Sequence, residues 1–590
     1  METVQITIDN KVLSVEKGQT ILKAARKAGI YIPTLCYYEL NGVGFENRPG
    51  GCRVCVVEVE GRKNLAPACA TEVMEGMVVH THSLRVVNAR RTVVELILSD
   101  HPADCLICPK NGKCELQALA QKLGIRDIPY QGAKSTYRKD LSPAIIRDVD
   151  KCVMCRRCES VCNVWQTVGA LSAINRGFDA VVAPAFEQDL VESPCTMCGQ
   201  CVQACPVGAL SEVDQTRQVI TAINDTKKTV IVQTAPAVRV ALGEEFGMEP
   251  GSIVTGQMVA ALRRIGFDYV FDTDFAADLT IMEEGTELLG RISKFMNGDK
   301  NVKLPILTSC CPGWVNFFET NYPDMLDVPS TAKSPQQMFG AVAKNYFANK
   351  LGIKREDMVV VSIMPCVAKK FECQRDEFKE EGNPDVDYAL TTRELAELMK
   401  IFNIKLNNLP EEDFDNPLGE STGAAVIFGS TGGVIEAATR TAYELFTGKS
   451  LPKVDFTELR GLDGIRSAEV DFDGTPIKIG IAHGLANARK LLDSVKRGEE
   501  NFHAIEIMAC PGGCIGGAGQ PFHHGDFEII KRRHEAIYRE DEGKPIRKSH
   551  ENPYIKKLYS EWLGEPCGEI SHHLLHTHYF DKSKQIEIEG

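Results

Sequence analysis

Two cysteine runs with identical spacing constrain this chain more than any other feature of its sequence. Each run follows the pattern C-x2-C-x2-C-x3-C. The eight residues are Cys152, Cys155, Cys158 and Cys162 in the first run and Cys195, Cys198, Cys201 and Cys205 in the second. Such short spacing allows three thiolates to wrap one [4Fe–4S] cube, whereas a zinc ribbon uses two separated pairs. The runs therefore predict two [4Fe–4S] clusters in one small domain.

The repeated run resembles that of the two-cluster bacterial ferredoxins, in which the fourth cysteine of each run binds the other run's cluster. The resemblance implies a first cluster on Cys152, Cys155, Cys158 and Cys205. It implies a second cluster on Cys195, Cys198, Cys201 and Cys162. Pro206 follows the second run as expected, but Asn163 stands where the first run should have a proline. We place this domain at residues 141–222.

The number and setting of the cysteines favour metal binding over disulfides. The chain has 22 cysteines among 590 residues, and its start, METVQITIDNKVLSV, has neither the basic region nor the apolar core of a signal peptide. The cytoplasm, where thiols stay reduced, is the expected location. A formal charge of -13 argues against a nucleic-acid binder. No apolar run approaches the roughly 18 residues of a membrane span.

The first 80 residues predict a small β-rich domain with its own cysteine set. VQITID and KVLSVE alternate apolar and polar residues around a turn at Asn10, which predicts a hairpin, and TILKAARKAG predicts a short helix. The cysteines, with Gly50 and Gly51 beside them, are Cys36, Cys52, Cys55 and Cys69. On this β-grasp-like pattern they resemble a plant-type [2Fe–2S] ferredoxin, although the first spacing exceeds the usual four residues. We place this domain at residues 1–80.

A further ligand set follows a helix that we predict at residues 83–100, with Ser83 as its N-cap. Its members are His101, Cys105, Cys108 and Cys114. Four ligands at this spacing suit either zinc or a [4Fe–4S] cube, and the position beside other clusters favours the cube. An alternative for His101 is a helix C-terminal histidine stabilised by the helix dipole. This domain takes residues 81–140 and runs into a polar stretch, 131–143, that predicts a linker.

From about residue 225 short apolar strands alternate with helical segments, which predicts an α/β architecture. The predicted strands lie in TVIVQTAP, YVFDTD, LPILTSCCPG, MVVVSIMPC, AAVIFGSTGG, IKIGIAHG and HAIEIMACPGG. Cysteines stand at the ends of three of these strands: Cys310 and Cys311, Cys366, and Cys510. Open α/β sheets bind ligands beyond the carboxyl ends of their strands. These cysteines are therefore expected to share one ligand.

Three peptides in this region resemble the signature motifs of the [FeFe]-hydrogenases: TSCCPGW (308–314), MPCVAKKFE (364–372) and MACPGGCIGGAGQP (508–521). The resemblance implies a [4Fe–4S] cube bound by Cys311, Cys366, Cys510 and Cys514. It also implies that Cys514 bridges to a di-iron centre carrying carbon monoxide, cyanide and azadithiolate, which together with the cube is the H-cluster. Nearby glycines are expected to admit the cofactor and to free backbone amides that donate to it: Gly512, Gly513, Gly516 and Gly517.

The same resemblance assigns the side chains around the di-iron centre. Lys369 would donate to a cyanide ligand. The pocket would also be lined by Pro236, Gln336, Met364 and Met508. On sequence alone, each methionine fits an ordinary core position better than a cofactor pocket.

Cys310 is implied to pass protons to the bridging amine of the cofactor. Its path to solvent would use Glu284, Ser330, Glu287 and Arg291. In the predicted helix TIMEEGTELLGR the two glutamates and the arginine are spaced i,i+3 and i,i+4, and so share one face. Without the resemblance, a solvated salt-bridged face would be the better interpretation.

Several features have a plain structural interpretation. Cys373 and Cys567 have no partner motif and are expected to be buried thiols. The segment GSTGG (429–433) lacks a phosphate-binding pattern and predicts a tight turn between a strand and a helix. HHLLHTHY (572–579) could bind a metal, but a satisfied or solvent-facing histidine cluster fits it better.

Together these modules predict a multidomain α/β and α+β protein: a β-grasp ferredoxin, a domain whose cluster is held by one histidine and three cysteines, a two-cluster ferredoxin, and a two-lobed α/β catalytic domain. The last spans residues 223–590 and ends in a small-subunit-like segment. Its activity would be the reversible interconversion of H2 with protons and electrons. The expected partners are ferredoxin or flavin-containing NAD(P)H dehydrogenase subunits, including an electron-bifurcating complex, and the di-iron maturation proteins.

Three other classes share parts of this pattern. An iron–sulfur assembly protein would use only the cubes, and relatives of that kind lose the di-iron pocket. A hydrogen sensor would tend to lack the relay cysteine, Cys310, and to carry a sensory domain. An electron-input subunit of a formate or NADH dehydrogenase has no use for the three C-terminal peptides. All three peptides and Cys310 are present, which favours the hydrogenase.

Overall fold

The structure is a computed structural model that describes residues 2–47, 50–133, 135–299 and 301–583. Across these ranges its strands form seven sheets, of which two are four-stranded sheets formed by strands between Thr229 and Met508. No helix in the described ranges is both long and apolar enough to cross a membrane.

The N-terminal domain is built on the predicted hairpin. Its elements are β1 (Thr3–Ile8), β2 (Lys11–Glu16), α1 (Ile21–Lys27), β3 (Tyr38–Leu40), β4 (Phe45–Asn47), β5 (Val56–Val59), β6 (Ala66–Pro67) and β7 (Val78–His80). The sheet order is β2-β1-β7-β5-β6, with β1 antiparallel to β2 and parallel to β7. Thr20 caps α1 by accepting from the amide of Lys23 at 3.3 Å, and Ile21 and Leu22 are buried in the core beneath the sheet.

Two helices follow, α2 (Leu84–Asp100) and α3 (Glu115–Lys122), and the side chain of Ser83 caps α2 as predicted. The next elements are β8 (Asp140–Leu141), β9 (Ile145–Arg147), α4 (Arg157–Ser160), β10 (Ser172–Ile174), β11 (Val181–Ala183), α5 (Gln200–Ala204), β12 (Leu210–Glu212) and α6 (Thr216–Ile223). Strands β12, β9 and β8 form one small antiparallel sheet. Among its described residues, the predicted linker at 131–143 holds only β8 as regular structure.

The remaining residues form two sheets and their helices. The first part contains β13 (Thr229–Thr234), α7 (Thr255–Ile265), β14 (Tyr269–Asp272), α8 (Thr273–Met296), β15 (Ile306–Leu307), α9 (Pro312–Asn321), α10 (Pro335–Val342), α11 (Ala348–Leu351), β16 (Met358–Met364), α12 (Ala368–Glu372), β17 (Lys379–Glu380), β18 (Asn383–Pro384), β19 (Tyr388–Thr391) and α13 (Thr392–Ile401). The second part contains α14 (Gly423–Val426), α15 (Gly433–Thr447), β20 (Ile465–Asp471), β21 (Pro476–His483), α16 (Leu485–Lys496), β22 (Ala504–Met508), α17 (Phe527–Gly543), α18 (Pro553–Leu558) and α19 (Glu569–Leu575).

The two sheets divide the region after residue 228 into two lobes. One has the order β14-β13-β16-β19 and is entirely parallel. The other has the order β15-β22-β21-β20 and is parallel except for the β20–β21 pair. The central strands β13, β16 and β22 are almost wholly buried, as strands covered on both faces must be, and their valine- and isoleucine-rich runs follow from that.

Six of the seven strands predicted in this region form, and the seventh prediction is wrong. The run AAVIFGSTGG is helical: α14 contains its first residues and a 3-10 turn follows at 427–429. A short buried apolar run has no periodicity that separates strand from helix. The helix α14 packs closely against α17, and a Cβ at Gly423 would clash with Asp541 there.

Candidate functional site

The carboxyl ends of three strands meet at one cavity. Strands β15, β16 and β22 end at Leu307, Met364 and Met508, and the predicted cysteines follow within four residues. Every residue assigned from the sequence to the cofactor pocket lines this cavity: Pro236, Cys310, Cys311, Gln336, Met364, Cys366, Lys369, Met508, Cys510 and Cys514. The cavity volume is about 80 Å³.

The chemistry of the cavity fits a thiolate-bound cluster. Cys510 lies close enough to Cys311, Cys366 and Cys514 for the charges of all four thiolates to interact. All the cysteines of the chain are free thiols, so none of these four is consumed in a disulfide. Four soft donors from separate segments, surrounded by methionine, proline and alanine side chains, match what a [4Fe–4S] cube requires.

The glycines of the 508–521 peptide serve protein packing, and the expectation that their amides are free for the cofactor is wrong. The four amides donate within the protein, from Gly512 to His483 Nδ1 and from Gly513, Gly516 and Gly517 to the carbonyls of Cys510, Gly513 and Cys514. Gly513 has φ +95° and its missing Cβ would lie 2.6 Å from the amide of Thr431. A Cβ at Gly517 would clash with the Pro365 carbonyl. Glycine is needed there because two backbone segments approach each other closely.

A buried hydrogen-bonded group fixes Lys369 at the wall of the cavity. Its Nζ donates to the Cys310 carbonyl at 3.2 Å and to Glu372 at 2.9 Å. Glu372 also accepts from Gln336 Nε2 at 2.8 Å and from Ser334 Oγ at 3.0 Å. Glu372 holds two predicted pocket residues, and the sequence reasoning did not single it out. The available signal was its position three residues after Lys369, one turn along the same helix.

Three of the predicted relay residues form a connected group beside the cavity. Ser330 Oγ donates to Glu287 at 2.8 Å, and Arg291 donates to the other oxygen of Glu287 at 2.6 Å. Arg291 also donates to the Val328 carbonyl at 2.7 Å, which ties α8 to the segment carrying Ser330. Glu284 lies one turn before Glu287 on α8. The salt-bridged face considered from the sequence therefore forms, but it is largely buried rather than solvated.

Glu284 is an isolated carboxyl group in this part of the molecule. Its side chain is 5% exposed, and neither oxygen has a hydrogen-bond partner among the described residues. Burial, together with the charges of Glu287 and Glu506, raises the pKa of Glu284 to about 8. Burial and the charge of Glu284 likewise raise the pKa of the Cys310 thiol well above its ordinary value. Both groups therefore hold a proton at neutral pH, the state that a proton donor needs.

We predict that Glu284→Gln changes the pH profile of hydrogen evolution. Because its carboxyl group keeps a proton below about pH 8 and loses it above, the wild-type rate should fall as the pH rises through that value. Glutamine cannot relay a proton, so the variant should be slower by about 10²–10⁴-fold and lack this step. Initial rates between pH 6 and 9 at constant iron content measure the effect. A variant that retains the decline near pH 8 would assign it to another group.

The two ferredoxin-type cysteine sets separate in space in the crossed manner. Cys152, Cys155, Cys158 and Cys205 line one small cavity. Cys201 instead has Cys198, Cys195 and Cys162 as its nearest thiol charges. Each run thus contributes its fourth cysteine to the group formed by the other run, as the resemblance to two-cluster ferredoxins implies.

The other two predicted sites lie in the N-terminal domain and in the loop between α2 and α3. In the N-terminal domain Cys36 interacts directly with Cys52 and Cys69, and the amides of Gly51 and Cys52 donate to its sulfur. In the next domain His101 ends α2 and Cys114 begins α3. His101 thus occupies the helix terminus considered for it. Cys105 and Cys108 lie on the loop between these helices, and Cys105 is exposed.

Contacts between segments that carry predicted cluster ligands show that the histidine-containing site, the ferredoxin-type sites and the large cavity follow one another. A Cβ on Gly208, near Cys205, would lie 2.5 Å from Cys108 Sγ, so the histidine-containing site adjoins the first ferredoxin-type site. A Cβ on Gly313, two residues after Cys311, would lie 3.3 Å from Cys198 Cβ. The second ferredoxin-type site therefore adjoins the large cavity. A route of neighbouring cysteine groups leads from the surface to that cavity.

The C-terminal histidine motif packs against the relay group. His576 Nε2 lies 3.0 Å from Glu283 Oε2, and its Nδ1 lies 2.7 Å from Thr331 Oγ1. The amide of Cys567 donates to Glu283 at 2.7 Å, and the Tyr579 hydroxyl donates to the Ser330 carbonyl. His576 is thus a satisfied histidine, as preferred from the sequence, and it anchors the C-terminal residues on the segment that carries Ser330.

The remaining unassigned features are also explained by the fold. Cys373 is a buried thiol as expected, and Cys567 is only half-buried. The GSTGG segment joins a 3-10 turn to α15, and the amides of Gly432 and Ile435 donate to the buried carboxylate of Glu506 at 2.6 and 2.9 Å. This helix start is therefore occupied by a side chain of the protein itself.

Known protein families match almost the whole chain. Residues 228–518 match the iron only hydrogenase large subunit, C-terminal domain, and residues 527–582 the iron hydrogenase small subunit. Residues 1–83 match a 2Fe-2S iron-sulfur cluster binding domain. Residues 90–129 match the NADH-ubiquinone oxidoreductase-G iron-sulfur binding region, and residues 148–209 a 4Fe-4S dicluster domain.

Individual relatives agree with these matches. The chain is 64% identical to the NADP-reducing hydrogenase subunit HndD of Solidesulfovibrio fructosivorans, over 99% of this chain and 100% of the relative. It is 38% identical to iron hydrogenase 1 of Clostridium pasteurianum, over 97% and 99% of the two chains. A solved structure of the [FeFe]-hydrogenase HydA1 from Chlamydomonas reinhardtii covers 62% of this chain and 99% of its own, at 43% identity and a TM-score of 0.56. This chain belongs to the iron-only, or [FeFe], hydrogenase family.

Proposed function

We propose that this hydrogenase exchanges electrons between hydrogen and a flavin-containing NAD(P)H dehydrogenase partner in the cytoplasm. The observation that carries the proposal is the 64% identity, over the full length of both chains, to a protein named as a subunit of an NADP-reducing hydrogenase. The similarity of residues 90–129 to an NADH-ubiquinone oxidoreductase subunit supports it further. Ferredoxin is the second candidate partner, because a chain of accessory clusters can also serve a soluble one-electron carrier.

We assign the H-cluster to the cavity, with its cube on Cys311, Cys366, Cys510 and Cys514. Pro236, Gln336, Met364, Met508 and Lys369 would surround its di-iron part, and dedicated maturation proteins would supply that part. The accessory cofactors would be a [2Fe–2S] cluster and three [4Fe–4S] clusters. The first would be bound by Cys36, Cys52, Cys55 and Cys69. One [4Fe–4S] cluster would be bound by His101, Cys105, Cys108 and Cys114, and the other two by the crossed ferredoxin-type sets.

When bound, the di-iron part supplies the site at which the hydrogen–hydrogen bond is formed or broken. The protein's own side chains then handle the protons. Cys310 Sγ, at the cavity wall, donates a proton inward and regains one from the carboxyl group of Glu284. Glu287 and Ser330 Oγ, which share a 2.8 Å hydrogen bond, carry protons from the surface side. Arg291 holds Glu287 in place at 2.6 Å.

We predict that the matured chain alone reduces a viologen dye with hydrogen but does not reduce NAD(P). The sequence contains neither a dinucleotide fingerprint nor a phosphate-binding loop, and the glycine-rich segment at 429–433 is capped by Glu506. The test is an anaerobic assay of the purified chain with each acceptor, repeated after co-purification from its native source. Robust NAD(P) reduction by the single chain would refute the need for a dehydrogenase partner.

A further inference from the structure

Lys110 carries an ammonium group that is buried without a conventional partner. It lies in the loop CPKNGKC between Cys108 and Cys114, and only 4% of it is exposed. In the part of the chain that the structure describes, its Nζ has no hydrogen-bond acceptor. It lies 3.2 Å from the centre of the Phe522 ring. A ring face attracts a cation, but three buried N–H donors also require acceptors, because an unpaired buried charge is costly.

The surroundings of Lys110 contain ligands of two predicted clusters. The Cys205 thiolate acts electrostatically on the lysine, and the Lys110 charge acts on Cys114. A Cβ on Gly208 would lie 2.5 Å from Cys108 Sγ and 3.6 Å from Lys110 Cβ. The amide of Glu115 donates to the Pro206 carbonyl at 2.9 Å, which fixes the two segments together. The ammonium therefore lies where the histidine-containing site meets the first ferredoxin-type site.

Two neighbouring cations show how unusual this environment is. Arg393 also lies over Phe522, at 4.3 Å, but its Nε donates to Glu212 at 2.9 Å. Lys113, in the same loop as Lys110, lies 2.8 Å from Glu245. Both of these cations contact a carboxylate directly, whereas Lys110 feels only the more distant charges of Glu212 and Glu115. A thiolate-bound cluster would supply the negative charge in contact with Lys110 that no carboxylate provides.

We propose that Lys110 is the charge partner of the iron–sulfur clusters at this junction and raises their reduction potentials. Reduction adds a negative charge to a cluster, and a nearby buried cation stabilises that charge more strongly than it would in water. Electrons arriving by the histidine-containing site would then be held at this junction before they pass toward the second ferredoxin-type site. This inference rests on the proposed assignment of [4Fe–4S] clusters to both sites.

The test is a redox titration of the matured full-length protein, followed by electron paramagnetic resonance, in the Lys110→Met variant. We expect the equilibrium for reducing at least one junction cluster to fall by about tenfold or more, which is about 59 mV for a one-electron couple. Lys113→Met is the matched control in the same loop and should shift the potentials much less. Lys110→Arg keeps the charge and should retain potentials close to those of the wild type.

Iron content and the number of paramagnetic signals distinguish a failure of this inference from a failure of the cluster assignment. Wild-type protein without these [4Fe–4S] signals would overturn the assignment itself. With all signals present, unchanged potentials in Lys110→Met would overturn the role of Lys110. If Lys110→Met loses a cluster, retention of that cluster at its normal potential in Lys110→Arg supports the charge argument. The same loss in both variants would contradict it.

Discussion

Replacement of Cys310 by serine is expected to abolish most hydrogen turnover while leaving the cofactors in place. Cys310 lies at the cavity wall next to Cys311, but the four thiols that suit the cube are already supplied by other residues. A thiol exchanges a proton far more readily than a serine hydroxyl group, whose pKa is much higher. Proton relays typically contribute about 10²–10⁴-fold to a rate, and a step without a bypass should lie at the upper end.

The control for this variant is Arg291→Ala. Arg291 is farther along the path and half-buried, and it holds Glu287 rather than carrying a proton, so its loss should cost much less than that of Cys310. Turnover, iron content and infrared bands are measured for both variants. Near-normal hydrogen evolution by Cys310→Ser would remove Cys310 from the relay. Loss of the di-iron bands in that variant would make Cys310 a structural residue instead.

Chain produced in a host without the di-iron maturation machinery should contain its iron–sulfur cubes and show no hydrogen turnover. The cubes need only cysteine and histidine ligands and the general assembly pathway. Carbon monoxide and cyanide must be made by dedicated enzymes, and the protein offers an apolar cavity to receive the finished unit rather than groups that could make it. The expected effect is complete loss of activity, the largest among these predictions.

Two measurements check this expectation. Iron analysis and paramagnetic resonance should show the cubes at normal occupancy, and a hydrogen-evolution assay should give no signal above background. Addition of the maturation proteins to the same preparation is the matched control and should restore turnover. Hydrogen production by protein from a host shown to lack the machinery would contradict the assignment of the cavity to a matured di-iron centre.

Local spacing and the strand pattern predicted where the cysteines gather, whereas the resemblance to the [FeFe]-hydrogenases supplied the other residues of the site. The short spacings in the cysteine runs at 152–162 and 195–205 restrict how the thiolates can be arranged, because few arrangements bind a [4Fe–4S] cube. Strands β13, β16 and β22 are long enough and rich enough in β-branched residues to be recognised as buried strands. The carboxyl ends of β16 and β22 then predicted that Cys366 and Cys510 lie close together, and both residues line the cavity.

What could not be predicted depends on contacts between distant segments. The helix that begins at Gly423 packs against Asp541, which lies more than a hundred residues away and so gives no local signal. Glu372 reaches Gln336 only because α12 and α10 are neighbours in the fold. The amide of Gly512 finds its acceptor on His483, a distant residue that no local pattern reveals.

Infrared spectroscopy of the fully matured wild-type chain tests the central claim most directly. A hydrogenase with its H-cluster in this cavity should show absorption bands of metal-bound carbon monoxide and cyanide, and the same sample should evolve hydrogen from a reduced dye. Protein from a maturation-competent host that contains all its iron but shows neither these bands nor turnover would contradict the account.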